Sequence, residues 1–273
     1  MFDRVLVPLD GSRRAERALD LLPALPCRHV LLLRATSSDG SPAPVVGGYL
    51  ASIAATLAER GLAAETREMV GDPAESIVAA AIDVDLIAMT SRGQGAGGRL
   101  LFGSVADRVA RHAPAPTLIL RTEDDVALPA VDGRIVVPLD GSPVAARAID
   151  LARRLSWPRP RPLHLIGVVA DADGGDAPDR ALPAHLDAVA AELQADGIGA
   201  TVEVRRGDPE IELVTAVRGG DLVVMTTHGA SGGQRWRVGH VAEQMLRRSP
   251  APVVLVRGDH TATAASKRDR GDP

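Results

Sequence analysis

A chain of 273 residues, 45% of them apolar, is long enough for two domains of ordinary size with real cores. Aromatic residues make up only 2%, so those cores must rest on Leu, Val, Ile and Ala, a diet suited to buried parallel strands under Ala-rich helices. The net charge of −4 speaks against a sequence-independent nucleic-acid binder, which needs a basic face, and the one lysine, Lys267 in a polar tail, excludes any chemistry that needs a lysine in the core.

The chain begins MFDRVLVPLD, without the charged and apolar regions of a signal peptide. Its first apolar run predicts a strand near 4–9, ended by Asp10-Gly11-Ser12, and a helix near 12–22. Cys27 follows, a single thiol with no internal disulfide partner, which suits a reducing cytoplasm. Next come a strand near 29–36, a helix near 48–60 and a strand near 65–70. Asp72-Pro73-Ala74-Glu75 then places a capping Asp before a proline at the first helical position, with Glu three residues after the cap, opening a helix near 73–82. A strand near 85–90 leads into TSRGQGAGGRLLFGS, Thr90–Ser104, and a helix near 103–112. Pro114 and Pro116 stop that helix and admit an edge strand near 116–121. Residues 122–133 are polar and aperiodic and read as a linker.

The pattern then starts again. RVLVPLDGSR at Arg4–Arg13 returns as RIVVPLDGSP at Arg134–Pro143, and Gly71–Pro73 returns at Gly207–Pro209. DLIAMTSRG at Asp85–Gly93 returns as DLVVMTTHG at Asp221–Gly229, and HAPAPTLIL at His112–Leu120 is echoed by SPAPVVL at Ser249–Leu255. Four blocks in one order establish a duplication. Ser142-Pro143 and Asp208-Pro209 repeat the cap-and-proline signal. The fold class is therefore α/β: two tandem doubly wound, Rossmann-like domains, each with a five-stranded parallel sheet. The expected division is 1–121, linker 122–133, 134–257, and a tail at 258–273 too poor in apolar residues to order. No apolar stretch approaches the ~20 residues of a membrane span.

In such sheets ligands bind beyond the carboxyl ends of the strands, where strand order reverses. The Gly-rich loop after the fourth strand, ending at a helix start, suits a triphosphate: backbone N–H groups and the helix dipole both face an anion. Gly103 and Ser104 open that helix. Ser104 reads either as a hydroxyl donor to phosphate or as an N-cap with Asp107 completing a capping box. Asp10, and Asp140 in the second copy, can accept from a ribose hydroxyl or the adenine edge, or cap the next turn.

These motifs together resemble the universal stress protein family: PLDGS after the first strand, Gly-Asp-Pro before the third helix, and Gly93 with Gly103-Ser104 before HAPAP. Its ATP-binding branch carries G-x2-G-x9-G-[S/T]. The first copy supplies Gly93, Gly103 and Ser104, with Thr90 at the first glycine position. The second supplies Gly229 and Gly239, with Thr226 at the first glycine position and His240 in place of the final Ser/Thr. The resemblance implies ATP held with Mg2+, adenosine contacts from Asp10 and Asp140, and backbone contacts near Ala35 and Val168. It further implies two domains packed as a pseudo-dimer and a regulatory role in stress or dormancy through a protein partner, and leaves homodimerisation open to the whole chain. A threonine forced to positive φ at 90 or 226 would cost about 1 kcal/mol or more. His240 puts a bulky ring where phosphate should approach, or pairs with it when protonated below its ordinary pKa of about 6.5. The first site is therefore expected to bind more tightly.

Other readings carry less. Gly93–Gly98 contains a literal G-x-G-x-x-G, but it follows the fourth strand instead of the first, against dinucleotide binding. His228 could act as a base, yet Ser91-Arg92 fills the equivalent stretch, so no catalytic residue is assigned and a slow ATPase or an empty scaffold are the alternatives. No compact His/Cys spacing marks a metal site. Trp236, between Arg235 and Arg237, reads as an interface anchor or as a lid over nucleotide.

Overall fold

The computed structural model describes residues 2–36, 46–91, 103–122, 126–170, 181–227 and 238–258. In the first half the strands are β1 (Phe2–Pro8), β2 (Cys27–Thr36), β3 (Ala63–Val70), β4 (Leu86–Ser91) and β5 (Thr117–Arg121). The helices are α1 (Arg13–Glu16), α2 (Val46–Glu59), α3 (Pro73–Ala80) and α4 (Ser104–His112). The second half gives β6 (Ile135–Pro138), β7 (Leu163–Val169), β8 (Ala200–Arg206), β9 (Leu222–Thr226) and β10 (Val253–Val256). Its helices are α5 (Arg147–Leu155), α6 (Ala181–Ala195), α7 (Pro209–Ala216) and α8 (His240–Arg248).

All ten strands form one sheet in the order β3-β2-β1-β4-β5-β10-β9-β6-β7-β8. Each half is parallel and doubly wound, with its strand order reversing between β1 and β4 or between β6 and β9. The halves join where β5 and β10 run antiparallel, pairing Ile119 with Val253 and Leu118 with Val254. The edge strand expected near 116–121 is therefore an interior strand. Its five residues are all buried, and an unpaired edge so apolar would invite aggregation. The real edges, β3 and β8, mix partly buried and exposed positions and carry charges such as Glu65, Arg67, Glu203 and Arg205.

Strand side chains alternate between two helix layers. Val5 and Val7 join Leu32, Leu118 and Leu120 under α2, α5 and α6. Leu6 joins Leu33, Ile87, Met89 and Ile119 under α3, α4, α7 and α8. Leu118 is fully buried, and truncating such a leucine to alanine costs about 2–5 kcal/mol.

Local signals set the helix starts. Asp72 accepts from Glu75 N–H at 3.0 Å, and Asp208 from Glu210 N–H at 2.8 Å. The capping box is only half made, because Glu75 turns its carboxylate to Arg108 at 3.2 Å. The helix expected over 12–22 is one α turn followed by a 3₁₀ segment, Arg17–Ala24, with Pro23 inside it. Pro23 lacks the N–H that would continue an α ladder. Ser142 closes a turn with Ala145 N–H at 3.2 Å, and α5 starts later, at Arg147. Among the described residues no helix is long and apolar enough to cross a membrane. The tail at 259–273 lies outside the described residues.

Candidate functional site

A cleft of about 530 Å3 opens at the carboxyl ends of β1, β2 and β4, against the start of α4. Asp10, Arg14, Ala35, Thr90, Gly103 and Ser104 line it. Five of these six were singled out in the sequence; the sixth, Arg14, was not. Gly93 lies outside the described residues, as do Gly229, His228 and Trp236.

The turn after β1 explains how Asp10 reaches the cleft. Gly11 has φ +87° and Gly141 has φ +78°, a region glycine enters without a Cβ penalty. Asp10 then accepts from Ser12 N–H at 2.9 Å, while the Ser12 hydroxyl accepts from Ala15 N–H at 3.2 Å and caps α1. Ser12, not Asp10, is the cap. Asp10 stays exposed at the cleft with one carboxylate oxygen outside this turn.

On the other side, Gly103 has φ +94° and is the N-cap of α4, with no side-chain cap. Ser104 is the first helical residue and is exposed. The capping-box reading of Ser104 with Asp107 does not hold: Asp107 binds Arg111 through both oxygens, at 2.8 and 2.7 Å. Among the described residues the start of α4 therefore has no side-chain cap, which is the arrangement that favours an anion. Thr90 sits inside β4, and no non-glycine residue described has positive φ. The strain anticipated at Thr90 and Thr226 is absent. Leu33, Ile77 and Met89 give the cleft an apolar wall, and Pro73, the first residue of α3, sits beside them.

Strand register fixes the equivalence of Ala35 and Val168. Pro8 pairs with Leu33 and Pro138 with Ile166, so Ala35 and Val168 each lie two residues beyond the matched position. The second half thus brings Asp140, Val168, Thr226, Gly239 and His240 to the same places around β6, β7, β9 and α8. The chemistry differs. Asp140 accepts from both the N–H and the hydroxyl of Ser142, at 3.0 and 2.6 Å. Gly239 has φ −64° and its N–H donates to the Thr227 carbonyl at 2.8 Å. Exposed His240 opens α8, and Val144 stands where the first half has Arg14. Among the described residues no group of three or more His, Cys, Asp or Glu is placed to hold a metal ion.

Comparison with known proteins agrees with this architecture. A universal stress protein of Mycolicibacterium smegmatis is 28% identical over 215 residues, covering 72% of this chain and 70% of that protein. One of Mycobacterium tuberculosis is 30% identical over 169 residues, covering 59% of this chain and 57% of that protein. The crystal structure of a universal stress protein from Archaeoglobus fulgidus superposes with a TM-score of 0.75 at 23% identity, covering 93% of this chain and 98% of that one. The family model described as Universal stress protein family matches residues 1–121 and again 133–257, and the chain belongs to that family.

Proposed function

We propose that the chain is an ATP-binding regulator of a stress or dormancy response, with a stronger nucleotide site in its first half than in its second. The cleft at the β1–β4 switch point carries this reading, because it gathers an acidic acceptor, an apolar wall and an uncapped helix start within one space. Its volume of about 530 Å3 falls within the ~300–1,000 Å3 usual for small-molecule sites. In this reading Asp10 accepts from the ribose or adenine edge, and the wall of Leu33, Ile77 and Met89 takes the base. Gly103, Ser104 and the first amides of α4 take the phosphates, and Arg14 adds positive charge. An accompanying Mg2+ would depend mainly on phosphate and water oxygens, as this ion usually does.

The division into 1–121 and 134–257 then makes each half one nucleotide-binding unit. Bound ATP would supply a removable polyanion that changes the surface around α4, and a protein partner would read that change. Burial raises the pKa of the Cys27 thiol, which lowers its thiolate fraction and fits a reducing cytoplasm.

The test is direct. Protein purified from cells is denatured, and the supernatant is chromatographed for adenine nucleotide, followed by calorimetric titration with ATP and Mg2+. Bound nucleotide, or tight binding at one site of two, is expected. No bound nucleotide and no binding at millimolar ATP would leave an empty scaffold and overturn the reading. Turnover abolished by a cleft substitution would make the protein a slow ATPase instead.

A further inference from the structure

Arg34, Tyr49 and Glu16 meet on the opposite face of the sheet from the cleft, beneath the turn that carries Asp10. Leu33 and Ala35 of β2 line the cleft, and strand alternation sends Arg34 the other way, toward α2. There its guanidinium lies over the Tyr49 ring, 5.5 Å from the centroid. The Tyr49 hydroxyl donates to Glu16 at 2.9 Å. We infer that these three side chains support the Asp10 turn and that Tyr49 is a positioning residue for nucleoside recognition, an assignment that rests on the nucleotide function proposed for that cleft.

Two observations tie the three side chains to the turn. A side chain at Gly11 would place its Cβ 3.7 Å from a terminal nitrogen of Arg34, so the cation fills the space under the residue that follows Asp10. The charge of Asp10 also reaches Tyr49. Burial, then the hydrogen bond and charge of Glu16, then the charge of Asp10 push the phenol above its ordinary pKa. The phenol therefore stays protonated and donating, while Arg34 against its ring acts in the opposite sense and offsets the two acids. Arg34, Tyr49 and Glu16 are all half-buried, where salt screens such contacts less than at the open surface.

The second half is built without this support. Ala146 stands where Glu16 does and Gly167 where Arg34 does. Counted back from Gly207 as Tyr49 is from Gly71, His185 stands where Tyr49 does, and buried Leu50 and Leu186 follow the two in the same register. Leu182 presses so closely on Gly167 that a Cβ there would meet it at 2.9 Å, and it lies 3.8 Å from the Cβ position of Gly141. An arginine cannot stand at that place. Asp140 is held within its own turn instead, by the Ser142 hydroxyl at 2.6 Å as well as the Ser142 N–H at 3.0 Å. Among the described residues Asp10 accepts only from the Ser12 N–H, so its turn needs a hold from outside.

Calorimetric titration with adenosine and, separately, with tripolyphosphate and Mg2+ reads the two ends of the cleft apart. Tyr49→Phe is expected to weaken adenosine about threefold to tenfold, the range of one hydrogen bond, and to leave tripolyphosphate unchanged. In an Asp10→Asn background it should add nothing, because it acts through Asp10. Should Tyr49→Phe not fold, Arg34→Met carries the same test. Equal losses for both probes, no loss for adenosine, or losses that add in the double variant would each overturn the inference. Amide hydrogen exchange of the unliganded chain, read by NMR, measures the support without nucleotide. The Ser12 amide should exchange about threefold or more faster in Tyr49→Phe, with the Ser142 amide unchanged. Unaltered exchange at Ser12 would overturn the support whether or not nucleotide binds. Accelerated exchange at Ser12 in a chain that binds neither adenosine nor ATP would remove the nucleotide function and leave the support of the turn standing.

Discussion

Gly103 and Gly239 occupy the same place before α4 and α8, yet Gly103 has φ +94° and Gly239 has φ −64°. Only the first is in a backbone region that other residues avoid. Gly103→Ala is therefore expected to destabilise by about 1–3 kcal/mol and to weaken nucleotide binding. Gly239→Ala should cost about 0.5 kcal/mol, the ordinary Gly–Ala difference at an N-cap. Urea unfolding of both variants checks this, and equal losses would contradict it.

Arg14 lines the first cleft while Val144 holds the equivalent place in the second half. Because Arg14 is exposed, its contribution is screened. Arg14→Ala should weaken ATP about threefold to tenfold, just below the range for hydrogen bonds to charged groups because of that screening. Adenosine affinity should barely change. Calorimetry with both ligands separates a phosphate contact from a general loss of the cleft, since equal losses would point to the latter.

His240 is the side chain that most distinguishes the second site. Exposed at the first position of α8, it replaces the hydroxyl that Ser104 offers in the first half. His240→Ser is expected to raise second-site affinity by several-fold, with the first site unchanged. The gain should stay incomplete, because the Gly239 amide is already bonded to Thr227. Two equal sites in the unaltered chain would remove the basis for this asymmetry.

What the sequence revealed and what it hid follow from range. Asp10, Thr90, Gly103 and Ser104 were legible because strand ends and glycine turns are local signals, written twice in this chain. Arg14 was not, since an arginine in an Arg-rich first turn looks like any solvated helix face. The interior position of β5 depends on β10, more than a hundred residues away, and no local pattern encodes that antiparallel pairing. Arg161 sits in Trp157–Pro162, WPRPRP, whose composition reads as an exposed loop. Its burial is set by tertiary contacts, among them the Gly133 carbonyl, which accepts from its Nε at 2.8 Å.

Arg121, buried at the end of β5, crosses that junction and donates to the carbonyls of Arg247 and Ser249 at the end of α8. Arg257, just beyond β10, reaches back to the His112 carbonyl at 3.3 Å. Each cation thus meets the negative end of the other half's helix. Arg121→Met should cost about 1.5–3 kcal/mol, the scale of hydrogen bonds from a charged donor. Arg257→Met, at a more exposed position, should cost less than about 1 kcal/mol. Urea titration followed by circular dichroism ranks the two, and the reverse order would refute this account of the junction.

The acid limb of stability should carry a signature of the β7–β8 edge. Glu203 is held below its ordinary pKa, first by Arg205, whose Nε donates to it at 2.6 Å, and then by His164 at 2.8 Å. A depressed carboxylate pKa stabilises the fold above the unfolded value of about 4.3 and loses that contribution as pH falls through the folded value. Glu203→Gln should therefore be less stable than the parent at pH 7, by less than about 1 kcal/mol because the pair is partly solvated. Its stability should also fall less between pH 5 and pH 3, so the two curves converge in acid. Thermal melts across that range, at low and high salt, test the sign. Curves that diverge as pH falls would mean that Glu203 is not the group that titrates.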